Sequence, residues 1–120
     1  MSGLTEKRFR CVDGKKISGD KYTEDFKSAP VFGRVRLGKL YLYYRDLLKN
    51  YCVPYKYIDR IYTKIVVCPE NEFANNEEYY RLILVHGETE FANLIFEKQS
   101  IIKALYTELE KINPNIIFGV

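Results

Sequence analysis

A chain of 120 residues with a net charge of +3 has the length of a single domain with one hydrophobic core. A domain of this size buries about 60–70% of the surface that its unfolded chain would expose, so it needs neither disulfides nor a metal ion to stay folded. No apolar run forms a signal-peptide core or approaches the roughly 20 residues of a membrane span, which predicts a cytoplasmic protein.

Residues 1–29 are predicted to form an irregular, basic N-terminal arm that is packed on the domain or flanks it. Turn-type residues cluster at 13–16 and 18–20, and only residues 8–12 alternate as a short strand does. The domain proper is expected to span residues 30–120.

From Pro30 onwards, alternating apolar and polar residues predict antiparallel strands joined by short turns. The predicted strands span residues 31–37, 40–45, 50–53, 59–67, 79–85 and 89–96. The predicted turns are Gly38-Lys39, residues 46–49, a turn or 3₁₀ turn at 54–58, and His86-Gly87-Glu88. An acidic, Asn-rich loop at 69–78 is expected at the surface.

An amphipathic helix is predicted at about residues 98–112. Apolar residues recur there at intervals of three and four, so one stripe of the helix faces the sheet. Pro114 ends the helix, because the residue before a proline is disfavoured in the α region. The fold class is therefore mainly β with one C-terminal helix, an α+β protein.

The cysteines and the single histidine give no metal site. Cys11, Cys52 and Cys68 are odd in number, far apart in the sequence and without a CxxC pair, and His86 is the only histidine. A closed tetrahedral zinc site would therefore lack ligands. We expect free thiols without a special role in a reducing compartment, and no metal or cofactor.

The charge is distributed unevenly along the chain. Residues 1–64 contain 15 Lys and Arg against 7 Asp and Glu, whereas residues 65–120 contain 4 against 9. The fold either presents a basic face and an acidic face, which would steer a charged partner, or interleaves the two halves and mixes their charges.

Two stretches carry the most distinctive pattern, GRVRLGKLYLYYR at residues 33–45 and YCVPYKYIDRIY at residues 51–62. They resemble the "LYLYYR" strand and the "(I/V)PY-x-x-I-x-R-x-Y" segment of bacterial PH-like (pleckstrin-homology superfold) proteins. The resemblance covers residues 31 to about 112. It implies a bent antiparallel sheet or partly open barrel of about six or seven strands, capped by the C-terminal helix.

The resemblance implies a fold and no activity, because the family is functionally uncharacterised. Phosphoinositide-binding PH domains hold the head group with a long basic loop between their first two strands. The predicted turn Gly38-Lys39 is too short for such a loop, which argues against a phosphoinositide ligand.

The residue patterns of common catalytic sites are missing from the sequence, which contains no GxSxG, no HExxH and no phosphate-cradling glycine loop. The carboxylates Glu77, Glu78, Glu88 and Glu90 lie in predicted loops or at strand ends, where such groups are solvated. We predict no enzymatic activity and no catalytic residues.

We predict instead a protein- or peptide-binding or scaffolding module, whose partner would include a second copy of the chain. Strand parity places several Tyr and Arg residues on the non-core side, and these types are enriched at interface hot spots. The candidate interaction surface comprises Arg34, Arg36, Tyr41, Tyr43, Arg45, Arg60 and Tyr62. The open alternative is that the N-terminal arm or the C-terminal tail covers these rings.

Single-stranded nucleic acid is the alternative ligand, with basic residues on phosphates and tyrosines stacked on bases. Residues 31–64 combine both residue types. The small net charge and the acidic second half of the chain argue against it.

Overall fold

Ten strands in two sheets and two helices make up the described part of the chain, residues 8–68 and 77–119 of a computed structural model. The mainly β, α+β class is confirmed. The sequence predicted six or seven strands and one helix, so both predicted numbers were too low. The chain divides into two compact units, Met1–Tyr57 and Ile58–Val120.

The first unit contains a six-stranded sheet and one helix. Its elements are β1 (Arg8–Cys11), β2 (Lys16–Ser18), α1 (Asp20–Ser28), β3 (Val31–Phe32), β4 (Val35–Leu37), β5 (Leu42–Asp46), β6 (Lys49–Val53) and a 3₁₀ turn at Tyr55–Tyr57. The order across the sheet is β2-β1-β6-β5-β4-β3. All neighbours are antiparallel except β1 and β6, which run parallel.

Residues 8–28 have regular structure, which corrects the prediction of an irregular arm. They form β1, β2 and α1. Helix α1 escapes prediction because its buried positions are the polar Thr23 and Asp25, and its apolar side consists only of the half-buried Tyr22 and Phe26. The proposed limits of the arm and the domain, residues 1–29 and 30–120, stay a prediction.

The predicted strand at residues 31–37 is a hairpin of two short strands. Phe32 pairs with Val35, and Gly33 lies in the two-residue turn between them. The φ angle of Gly33 is 59°, in the left-handed region that glycine adopts without a steric penalty. This glycine divides the alternating sequence into β3 and β4.

Strands β4 and β5 are joined by four residues, 38–41, rather than by the predicted two-residue turn. The carboxylate of Asp25 on α1 accepts hydrogen bonds from the backbone N–H groups of Lys39 (2.8 Å) and Leu40 (3.1 Å). These donors are therefore withdrawn from the sheet, and β5 begins at Leu42. The turn closes with a bond from the Gly38 N–H to the Tyr41 carbonyl (2.9 Å).

The second unit contains a four-stranded sheet with the order β10-β7-β8-β9. Its elements are β7 (Arg60–Cys68), β8 (Glu77–His86), β9 (Thr89–Phe96), α2 (Gln99–Ile112) and β10 (Ile117–Phe118). The predicted strands at 59–67, 79–85 and 89–96 and the helix at 98–112 are confirmed. Most of the predicted acidic loop, residues 69–76, lies outside the described residues.

The helices of the described part are α1 and α2, and neither is long and apolar enough to cross a membrane. Helix α2 buries Ile102, Leu105 and Leu109. Its Tyr106 hydroxyl lies 2.6 Å from the hydroxyl of Thr63 on β7, so the helix is tied to the sheet by a polar contact as well.

Candidate interaction surface

Four of the seven predicted surface residues line one groove of the first unit: Arg34, Arg36, Tyr43 and Arg45. The groove has a volume of about 680 Å³, within the roughly 300–1,000 Å³ of ligand-binding clefts. We call it the arginine groove and define it by Val31, Arg34, Arg36, Arg45, Leu47 and Leu48. Among the described residues that line it, there is no Asp or Glu.

Tyr43, predicted to face outward, is fully buried. Its ring centroid lies 5.0 Å from that of Phe9 and 5.5 Å from that of Phe26, and its hydroxyl donates to the Asp25 carboxylate (2.6 Å). Burial and the adjacent carboxylate both raise the pKa of Tyr43. The N-terminal segment thus covers this face of β5, the alternative that the sequence left open.

Tyr41 lies on the same covered side and is half-buried. Its ring is 5.9 Å from that of Tyr22 on α1. It lines a different cavity, together with Cys11, and not the arginine groove.

Arg60 and Tyr62 belong to the second unit and are not among the residues that line the groove. Arg60 is exposed at the start of β7. The Tyr62 hydroxyl donates to the Glu90 carboxylate on β9, and this hydrogen bond raises the pKa of Tyr62.

Arg36 is held in one position by Phe26. Its Nη1 donates to the Phe26 carbonyl (3.2 Å), and its Cζ lies 4.2 Å from the centroid of the Phe26 ring. A guanidinium over an aromatic ring gains a cation–π attraction, and its remaining N–H donors stay free to bind an anion. Arg36 is therefore a preorganised cation in the wall of the groove.

Leu47 and Leu48 form the two-residue turn between β5 and β6, with Asp46 paired opposite Lys49. Their φ angles are 49° and 68°, and their exposed fractions are 86% and 84%. Turns with two positive φ angles favour Asn-Gly, because a branched side chain in the left-handed region costs about 1–2 kcal/mol. Both leucines are thus strained and exposed.

Cations also surround the far side of this turn. A neighbouring cavity of about 340 Å³ shares Leu48 and Asn50 with the groove and is lined by Arg8, Arg10, Lys16 and Lys49. The turn therefore projects between two cavities that are both rimmed by positive charge. This arrangement suits a partner that is anionic and partly apolar.

Sequence reasoning missed Leu47 and Leu48. The signal was present, because two leucines occupy the predicted turn at 46–49, where Asn, Gly or Asp is usual. The described residues also contain no group of three or more His, Cys, Asp or Glu side chains placed to hold a metal ion. The chemistry that the arrangement offers is recognition by charge and apolar contact.

No family model matches the sequence, and no curated protein or solved structure is detectably similar to the chain. The function of the groove therefore has to be argued from its own residues.

Changing Leu47 to Asn together with Leu48 to Gly is expected to raise the free energy of unfolding by about 1–3 kcal/mol, because both residues tolerate a positive φ. Urea unfolding of the full chain measures the change. The matched control, Leu47→Ala with Leu48→Ala, removes most of the same apolar surface but keeps the backbone penalty. Equal stability of the two variants would show that the turn is not strained.

Proposed function

We propose that the chain is a non-enzymatic protein- or peptide-binding module and that the arginine groove is its binding surface. The partner is an acidic segment that also carries large apolar side chains. The observation that supports this most is the pair Leu47 and Leu48, both exposed and both strained, beside the arginines of the groove.

The backbone strain of this turn, together with its exposed leucines, supports a binding function there. Neither leucine gains core packing, and each occupies a backbone conformation that Asn or Gly would adopt more cheaply. Backbone strain outside the core is concentrated at binding sites, where the surrounding structure maintains it. Exposed apolar residues rimmed by charges have the same association with interfaces.

The shape and charge of the groove support a peptide over a membrane. A concave groove can surround a side chain, whereas a flat bilayer would contact only the projecting leucines. The positive charge of Arg34, Arg36 and Arg45 would pair with carboxylates, and arginine binds carboxylates through two parallel hydrogen bonds.

Single-stranded nucleic acid has less support in the first unit. Base stacking needs exposed aromatic faces. Tyr43 and Tyr44 are buried, and Tyr44 is stacked on Tyr51 with ring centroids 5.1 Å apart. The cations could contact phosphates, but the rings of Tyr43, Tyr44 and Tyr51 pack against other protein groups rather than against bases.

The PH-like fold is part of the proposal. It is supported by element order: the antiparallel run β3-β4-β5-β6 is followed by a second run, β7-β8-β9, and then by helix α2. The elements β1, β2 and α1 precede this arrangement. A bacterial origin and a cytoplasmic location belong to the same proposal.

An array of synthetic peptides that combine Asp or Glu with Leu or Phe tests the groove. We expect binding by the wild-type chain and a loss of about 30-fold or more in affinity for Leu47→Asn/Leu48→Gly, because interface hot spots contribute about 2 kcal/mol or more. This variant is expected to be more stable than the wild type, so its loss of binding would not reflect unfolding.

Arg45→Gln should also weaken peptide binding, and its matched control is Lys103→Gln, an exposed lysine on α2.

The wild-type chain is also tested with oligothymidylate and with phosphatidylserine vesicles. Binding of either one that depends on Leu47 and Leu48, without peptide binding, would contradict the proposal. Sedimentation over a range of protein concentrations tests whether the partner is a second copy.

A further inference from the structure

Cys11 and Cys52 lie 41 positions apart in the sequence and meet between the second and third strands across the first sheet. They are opposite each other in the parallel pairing of β1 and β6, and their Sγ atoms are 2.6 Å apart. Cys11 is 6% exposed and Cys52 is fully buried. Both are free thiols in this structure.

We propose that Cys11 and Cys52 are a redox site, which a low-molecular-weight disulfide converts reversibly into an intramolecular disulfide bond. The site is separate from the arginine groove, whose lining residues include neither cysteine.

The backbone already satisfies the geometry of a disulfide. Neighbouring strands lie about 4.7–4.9 Å apart, within the range of about 4.4–6.8 Å between Cα atoms that disulfides require. The Sγ separation of 2.6 Å lies between the bonded distance of about 2.05 Å and the roughly 3.5–4.0 Å of non-bonded heavy atoms. Bond formation therefore requires a movement of about 0.5 Å and no change of register.

Cys11 is the sulfur that an oxidant can reach. It lines a surface cavity of about 520 Å³ whose charged lining residues are three lysines, Lys15, Lys21 and Lys56, and one carboxylate, Asp13. These ammonium groups favour an anionic disulfide such as oxidised glutathione. Burial raises the pKa of both cysteines, so both are mainly thiols and the exchange proceeds slowly through a small thiolate fraction.

The reaction consists of two exchanges. The Cys11 thiolate attacks one sulfur of oxidised glutathione, which forms a mixed disulfide and releases one glutathione thiolate. The Cys52 thiolate then attacks the Cys11 sulfur and displaces the second glutathione thiolate. The two cysteine protons pass to the two released thiolates, so two protein thiols are oxidised and one small disulfide is reduced to two thiols.

The test exposes the native full chain to glutathione buffers of increasing oxidised fraction, alkylates the remaining thiols after denaturation, and maps tryptic peptides. The expected product links CVDGK, residues 11–15, to NYCVPYK, residues 50–56, while Cys68 is alkylated. Oxidation should raise the melting temperature by on the order of 10 °C, because the bond closes a long loop. Dithiothreitol should reverse both changes.

The variants Cys11→Ser and Cys52→Ala should show no temperature shift in the oxidising buffer, whereas the control Cys68→Ser should behave as the wild type. The wild-type peptide map keeps the test decisive even if either core variant fails to fold. Full alkylation of Cys11 and Cys52 in the most oxidising buffer would overturn the proposal. So would a stable mixed disulfide on Cys11, or a linked peptide that contains Cys68.

Discussion

Replacing Gly38 with alanine is expected to lower the free energy of unfolding by about 3 kcal/mol or more, because the added methyl group has no room. A Cβ atom at this position would lie 2.6 Å from Cε2 of Tyr43 and 2.8 Å from Cγ of Asp25. Neither neighbour can move away easily. Tyr43 is fully buried against Phe9 and Phe26, and the Asp25 carboxylate accepts three hydrogen bonds.

The Gly38 backbone is fixed as well. Its carbonyl accepts a hydrogen bond from the Tyr55 hydroxyl (2.5 Å), and its N–H donates to the Tyr41 carbonyl (2.9 Å). The turn would have to give up these bonds to relieve the clash. Each bond contributes about 1 kcal/mol to stability, so relaxation of the turn would offset only part of the cost.

Urea unfolding compares Gly38→Ala with Gly87→Ala. This control distinguishes a steric clash of the added methyl group from a penalty of the backbone conformation. Gly87 has a φ of 61°, and an added Cβ would meet no atom within 4 Å. Alanine there should cost only the left-handed backbone penalty of about 1–2 kcal/mol. An equal loss in the two variants would show that Gly38 is not in steric contact with Asp25 and Tyr43.

The sequence predicted the second unit well because its elements are long. Strand β9 alternates exposed and buried positions, and helix α2 repeats apolar residues at intervals of three and four. Strand β8 contains a continuous apolar run, residues 82–85, all of which are buried. Helix α1 has nine residues and turns Thr23 and Asp25 inward. A buried carboxylate adds nothing to an apolar pattern, and the single pair Tyr22 and Phe26 is too short a repeat to identify a helix.

The prediction that Tyr43 faces outward was wrong because both faces of β5 are covered. Leu42, Tyr43 and Tyr44 are all buried, whereas the prediction assumed that alternate residues of the strand face solvent. Three successive buried-type residues in the sequence are the sign of such a strand. Arg34, Arg36 and Arg45 line one groove, and their role as an interaction surface stays a prediction.

Contacts between distant segments could not be predicted from one sequence. Cys11 meets Cys52 only because β1 inserts beside β6 in parallel. Asp25 meets residues 39, 40 and 43 only because α1 lies against this sheet. Pairing across such separations depends on topology, which local periodicity does not encode.

Asp25→Ala is expected to lower the free energy of unfolding by about 3–4 kcal/mol, because it removes the acceptor of three hydrogen bonds to a charged group. The Tyr43 hydroxyl would be left in a fully buried site. Tyr43→Phe alone should cost about 1 kcal/mol, since it removes one donor and keeps the ring packing. Urea unfolding measures both variants.

The double variant Asp25→Ala/Tyr43→Phe tests whether the hydrogen bond between Tyr43 and Asp25 contributes to the free energy of unfolding. It should cost about 1 kcal/mol less than the sum of the single changes, because the second change removes a hydroxyl whose acceptor is already gone. Strict additivity would contradict a direct interaction. A second cycle follows from the same geometry. Since Asp25 supplies the nearest atoms to a Cβ at position 38, Gly38→Ala should be tolerated better in the Asp25→Ala background than in the wild type.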